Sequence, residues 1–115
     1  MNYDNSFFTM LILLGGILTA ASILMIVIPP KRINYLYGYR TPAAMKSDDR
    51  WQFAQKFSAR AMLQSGLILM AISALGLFNV FSEVANSTLA ITFFIIVLCI
   101  MFYRTEMAIK NKFPE

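Results

Sequence analysis

The stretch FFTMLILLGGILTAASILMIVI, residues 7–28, contains no Asp, Glu, Lys or Arg. About 20 apolar residues, roughly 17–25, carry a helix across the hydrocarbon core of a bilayer, so this stretch reads as a membrane span. Helix is the form it must take, because lipid offers no partner to an open backbone amide or carbonyl. Two further blocks repeat the pattern: AMLQSGLILMAISALGLFNVF at 61–81, and TLAITFFIIVLCIMFY at 88–103, which its flanks extend to about 86–105. The chain is 58% hydrophobic and 14% charged, with a mean hydropathy of +0.62. A soluble domain of this length could not cover its surface from that composition. The expectation is an all-α integral membrane protein: a single domain over 1–115 with three transmembrane helices and a loop at about 29–60. Met1–Ser6 carries Asp4 and no basic residue, the reverse of a signal-peptide n-region, and Pro29-Pro30 follows the first block. That block is expected to be a retained span.

The ten basic residues are segregated. Lys31, Arg32, Arg40, Lys46, Arg50, Lys56 and Arg60 fall between the first two spans, and Arg104, Lys110 and Lys112 follow the third. The N-terminal tail and the Ser82–Ser87 turn have only Asp4 and Glu83. With three spans the basic segments share one side, the positive-inside arrangement, which predicts an outside N-terminus with the loop and C-terminus in the cytoplasm. Insertion topology thus accounts for a pI of about 9.5, and no nucleic-acid partner is expected. Lipid, including anionic headgroups, is.

In the first span Gly15 and Thr19, and Gly16 and Ala20, form small-residue pairs four apart. In the second, Ala59, Gly66 and Ser73 recur every seventh residue. Both patterns suit close helix packing. Thr19 and Ser22 can hydrogen-bond a neighbouring helix or their own carbonyls. The third span has no glycine and many β-branched residues, as a lipid-facing helix or a subunit interface would. Phe102, Tyr103 and Arg104 mark its inner boundary, and Asn79 lies near the outer end of the second. Cys99 is the lone cysteine, expected as buried apolar filler.

Pro29-Pro30 ends the first helix. The following KRINYLYGYRTPAAMK, residues 31–46, has no helical period, and Tyr35, Tyr37 and Tyr39 alternate so that an extended strand would show them to one face, suited to the headgroup layer. Ser47 or Asp48 caps a new helix, with Asp48 and Asp49 at its positive end. Its start is amphipathic: Trp51, Ala54 and Phe57, with Phe53 alongside, oppose Gln52, Gln55, Lys56 and Arg60. This predicts an interfacial helix that leads into the second span.

Within the loop, Gly38 permits a backbone conformation or approach that a Cβ forbids, Pro42 stiffens the exit, and Asn34 and Thr41 supply local hydrogen bonds. Arg40 offers a planar fork for phosphate or carboxylate. Trp51 offers that guanidinium a ring to stack on, so Arg40 is expected in an ordered pocket. The competing reading makes Arg40 one more topology charge among lipid headgroups.

The ordered set Pro29, Pro30, Asn34, Gly38, Tyr39, Arg40, Thr41, Pro42 and Trp51, located between two spans, resembles the signature of the bacterial SdpI family. Members have a proline–asparagine step after a span, a G-x-R-T-P turn and a Trp opening the next helix. The resemblance covers roughly residues 10–105, and the loop is its diagnostic part. It implies a multi-pass protein of the bacterial cytoplasmic membrane with a non-enzymatic immunity or signalling role, and a toxin peptide or a membrane-protein partner. The family's founding member protects its producer from a secreted toxin and retains a repressor at the membrane; it is longer and has additional spans. The motif residues implied are Asn34, Gly38, Tyr39, Arg40, Thr41, Pro42 and Trp51.

The chain has no His, no cluster of metal ligands and no nucleophile beside a base, so no catalytic residue, cofactor or metal is expected. A proton-coupled transporter would place a carboxylate inside a span, whereas Glu106 lies at a helix end. An accessory subunit of a larger membrane complex is the main alternative to immunity.

Overall fold

A computed structural model describes residues 6–34, 37–78 and 82–114. Helix α1 covers Ser6–Val27, α2 covers Asp48–Ser73 and α3 covers Glu83–Lys112. Short 3₁₀ turns at Ala44–Lys46 and Ala74–Phe78 precede and prolong α2. The fold is all-helical among the described residues, and its three helices are each long and apolar enough to cross a membrane. Leu13, Ile17, Val27, Leu67, Ile68, Ile95 and Ile100 point outward. In a protein this apolar, such an exterior is a lipid face.

The helix starts follow local chemistry. Ser47 accepts a hydrogen bond from Arg50 N (3.1 Å) and Ser82 one from Ala85 N (3.2 Å), each satisfying an amide of a first turn. Asp48 and Asp49 occupy the first turn of α2 and Glu83 that of α3, where the helix dipole favours negative charge. Helix α2 runs without a break from the loop into the second span, so the amphipathic stretch and the span are one rod. Helix α3 does not stop at Tyr103–Arg104. It continues to Lys112 because no breaker follows and because its last turns pack on α2: Ile109 is fully buried, and Arg104 donates to Gln64 Oε1 (3.0 Å).

Helices α1 and α2 meet along the small-residue seam. A Cβ on Gly15 would lie 2.8 Å from Gly66 O, and one on Gly66 would strike Thr19 Oγ1 and sit 2.8 Å from Gly15 O. Ala59 and Ser73 are buried on the same line. The second expected pair is not part of it: Gly16 has open space where its Cβ would be, and Ala20 is exposed. The half-buried Thr19 hydroxyl bonds Gly15 O of its own helix (2.8 Å) and also reaches Met70 Sδ on α2 (3.8 Å), while buried Ser22 bonds Thr19 O (2.7 Å). Cys99 is exposed on α3 rather than buried, since the face carrying it turns away from both other helices.

The molecule measures 49 × 27 × 20 Å, longer than the roughly 30 Å hydrocarbon core. At the turn end, Phe7, Leu11, Leu69 and Ala90 form an apolar core, Phe7 meets Phe93 edge-on, and Ser6 N donates to Glu83 Oε1 (3.0 Å). At the loop end a second cluster joins Tyr39, Ala44, Ala54 and Ile109. Asn79 and Tyr35 lie outside the described residues.

Candidate functional site

Pro29-Pro30 breaks α1 and leaves the Pro30 carbonyl without a helical partner. Trp51, fully buried in the first turn of α2, donates its indole N–H to that oxygen at 2.6 Å. One turn later on the same face stands Gln55, only 3% exposed. Its Oε1 accepts from Tyr39 N (2.6 Å) and its Nε2 donates to Tyr39 O (2.7 Å). A carboxamide carries one acceptor and two donors, so this side chain meets both backbone groups of one residue, as a neighbouring strand would. The loop is thereby fastened to α2 at two points.

Gly38 makes the approach feasible. Its φ of 108° is one that L side chains rarely adopt. A Cβ there would sit 2.6 Å from Gln55 Oε1 and 2.9 Å from Pro30 Cγ. Asn34 closes the turn before it, donating to Arg32 O (2.9 Å) and accepting from Tyr37 N (2.7 Å). Tyr37 returns to the end of α1, its hydroxyl donating to Ile28 O (2.6 Å). After the glycine, Thr41 O accepts from Met45 N (3.0 Å), opening the 3₁₀ turn, while its hydroxyl makes a longer contact with Ala44 N (3.4 Å). Pro42 is exposed and lines a second hollow with Lys46, Arg50 and Lys110.

Several expectations are corrected by this geometry. Tyr39 does not share a headgroup-facing row; it is buried, with its ring 5.7 Å from that of Phe102. Burial, reinforced by the nearby Glu106 carboxylate, pushes its pKa well above the ordinary tyrosine value. Its hydroxyl closes no hydrogen bond of good geometry. Gln55 belongs to the buried face and not to the polar one, and Trp51 is covered by protein. Arg40 is exposed and does not stack on Trp51. Among the described residues, the cations lying over rings are Arg50 on Phe113, Arg104 on Phe57 and Lys112 on Phe53. Arg50 also donates to Phe113 O (2.9 Å), so the C-terminal turn is tied down beside the loop.

Sequence reasoning therefore found the loop and Trp51 but missed Gln55, the other half of the fastener. The available signal was spacing: Trp51 and Gln55 are four apart, hence on one helix face, and a Gln beneath a buried Trp must satisfy its own amide.

Several open hollows mark the loop end, and one of about 580 Å³ is walled by the motif loop together with all three helices. Tyr37, Gly38, Tyr39, Arg40 and Thr41 form one wall; Ala21, Leu24 and Met25 of α1, Met62 of α2, and Met101 and Phe102 of α3 form the others. Arg40 stands at its rim and, among the described residues, closes no hydrogen bond or ion pair. The described residues contain no cluster of His, Cys, Asp or Glu able to hold a metal ion. The arrangement is an apolar cleft with one cation at its edge, positioned by a rigid loop.

No solved structure matches the chain. It is 35% identical over 96 residues to a Bacillus subtilis (strain 168) protein named uncharacterized protein YfhL, covering 84% of this chain and 82% of that one. The family model described as the SdpI/YfhL protein family matches residues 31–105, the loop, α2 and most of α3. With its motif loop clamped between membrane-length helices, the chain is a multi-pass membrane protein that belongs to the SdpI/YfhL protein family.

Proposed function

We propose that this protein is a non-catalytic binding protein of the bacterial cytoplasmic membrane, acting in immunity or signalling through its Gly38–Pro42 loop. The observation that supports the reading most is the juxtaposition of a rigidly clamped loop with an apolar cleft whose rim carries Arg40. Buried hydrogen bonds at Gln55 and Trp51 hold the loop still. Arg40 is left facing outward, and its fork is suited to a carboxylate or phosphate on a partner. A preorganised loop loses little entropy on binding. A toxin peptide or a membrane-protein partner fits this chemistry by presenting an acidic group to Arg40 at the cleft's rim.

The orientation belongs to the same reading: N-terminus outside, loop and C-terminus in the cytoplasm, from the segregation of Lys and Arg. Cysteines introduced at Ser47, Val84 and Lys112 in a Cys99→Ser background test it. An impermeant maleimide should label only the Val84 site in intact cells, and labelling at Ser47 would overturn the orientation.

Function is tested by expressing the protein in a toxin-sensitive bacterium challenged with a secreted peptide toxin. Wild type should raise survival. Arg40→Lys should insert normally but lose most protection, because an ammonium keeps the charge without the fork. Equal protection by Arg40→Lys would reduce Arg40 to a topology charge. The accessory-subunit alternative draws on the outward apolar face of α3, including Ile95, Ile96 and Ile100. It would be favoured by stoichiometric crosslinking to one membrane protein without any protection.

A further inference from the structure

We infer that the cleft behind the Tyr37–Thr41 loop is a seat for an anionic phospholipid, one acyl chain lying among Leu24, Met25, Met62 and Met101 and the phosphate meeting Arg40. The inference rests on the reading of this cleft as a binding site and names a resident for it.

The cleft is open to lipid. Helices α1 and α3 are joined at the turn end through Phe7, Phe93, Ser6 and Glu83. At the loop end the cleft lies between them, with Leu24 on one wall and Phe102 on another, 49% and 45% exposed. In a bilayer this mouth opens sideways onto lipid, so acyl chains reach it without leaving hydrocarbon. The helical walls contribute only Ala, Leu, Met and Phe. Water needs two to four polar partners and finds none on those walls, whereas methionine side chains adapt to a flexible chain. The volume of about 580 Å³ lies within the roughly 300–1,000 Å³ typical of small-molecule sites.

Arg40 lines the cleft together with Leu24 and Phe102, near the loop-side ends of the apolar stretches, so a phosphate there would head a chain lying among them. Among the described residues no carboxylate lines the cleft; Glu106, one turn beyond Phe102, acts on the Tyr39 hydroxyl instead. Arg50 and Arg104 are engaged by Phe113 O and Gln64, while Arg40 keeps its fork for an outside oxyanion. Basic pockets between spans suit anionic headgroups. A peptide backbone in the same groove would leave amides unpaired against apolar walls, so lipid is the occupant these walls favour.

The test uses the full chain in detergent micelles, titrated with dioleoyl-phosphatidylglycerol or dioleoyl-phosphatidylcholine and read by native mass spectrometry. Wild type should prefer phosphatidylglycerol by roughly tenfold, the size of one charge-assisted contact. Arg40→Gln should bring that ratio within about twofold of unity, and Arg40→Lys should leave it at a few-fold, since lysine meets phosphate as a point charge. Lys110→Gln, which removes a charge outside the cleft, should leave the ratio alone. Met62→Trp should lower occupancy by both lipids, with its melting transition recorded to show that it folds. Equal affinity of wild type for the two lipids overturns the inference, as does an equal loss from Lys110→Gln and Arg40→Gln, which would mean diffuse charge. Retention of a peptide in place of lipid also overturns it. Protection lost with lipid preference intact counts against the immunity reading alone; protection kept with no preference counts against the lipid alone.

Discussion

The two ends of this bundle are held by different forces. Along the α1–α2 seam, glycine on each helix lets backbone meet backbone, and the stabilisation is van der Waals contact summed over many atoms. At the loop end a nonhelical segment must be kept in place, and directional hydrogen bonds from Trp51 and Gln55 do it. At Gly15 and Gly66 the close packing leaves no room even for a Cβ. A polar clamp tolerates almost no chemical change but little depends on its volume. The difference teaches where each end is vulnerable: the seam to size, the loop to chemistry.

The largest effect is expected from Gly66→Val. Its added atoms would meet Thr19 and the Gly15 carbonyl, and backbone cannot give way as a side chain does. A loss of at least about 3 kcal/mol is expected, the upper range for overpacking, read as a large drop in melting temperature in micelles. Gly16→Val, facing open space, should be nearly silent. If both substitutions behave alike, close approach does not hold the seam.

Gln55→Ala breaks the other side of the comparison. It leaves the amide and carbonyl of Tyr39 unpaired in a buried position, at about 1–3 kcal/mol each. Gln55→Glu keeps the volume and one acceptor but sets a carboxylate oxygen against Tyr39 O in a buried site, so it should cost at least as much as Ala. Loop protection in hydrogen exchange should fall in both variants while α1–α2 amides stay protected. Equal loss at the seam would mean that the two ends are one cooperative unit.

Tyr39→Phe should have the smallest effect at neutral pH and sharpens the chemistry of the clamp. Its hydroxyl is buried without a well-formed hydrogen bond, so removal should be neutral or slightly stabilising. The pH dependence has a definite sign. The folded-state pKa is raised above the ordinary value near 10 by burial first and Glu106 second, so the neutral phenol is the form the fold prefers. Stability from this group is fully present below about pH 10 and is lost as pH rises beyond it. Wild type should therefore weaken in alkaline unfolding more than Tyr39→Phe does. Identical alkaline profiles would show the phenol to be solvated.

By itself, the sequence determined the membrane class, the number of spans, a helix start at Ser47 or Asp48 and the position of the motif loop. These follow from composition, charge and capping along a contiguous stretch, and lipid leaves a chain few alternatives to helix. The extent of α3 escaped it, because Tyr103–Arg104 marks where a span meets polar surroundings and not where a helix ends. Which glycine pair packs, and where Gln55, Tyr39 and Arg40 point, was decided only by tertiary structure. Gly15 and Gly16 are alike until α2 is placed against one of them. Gln55 reads as polar surface until a loop sixteen residues away in sequence brings a backbone for it to bind. Arg40 and Trp51 look like a stacking pair until the fold buries the indole completely and leaves Arg40 exposed. Burial of a polar side chain is set by the partner it meets across the fold, and that partner is not written beside it in the chain.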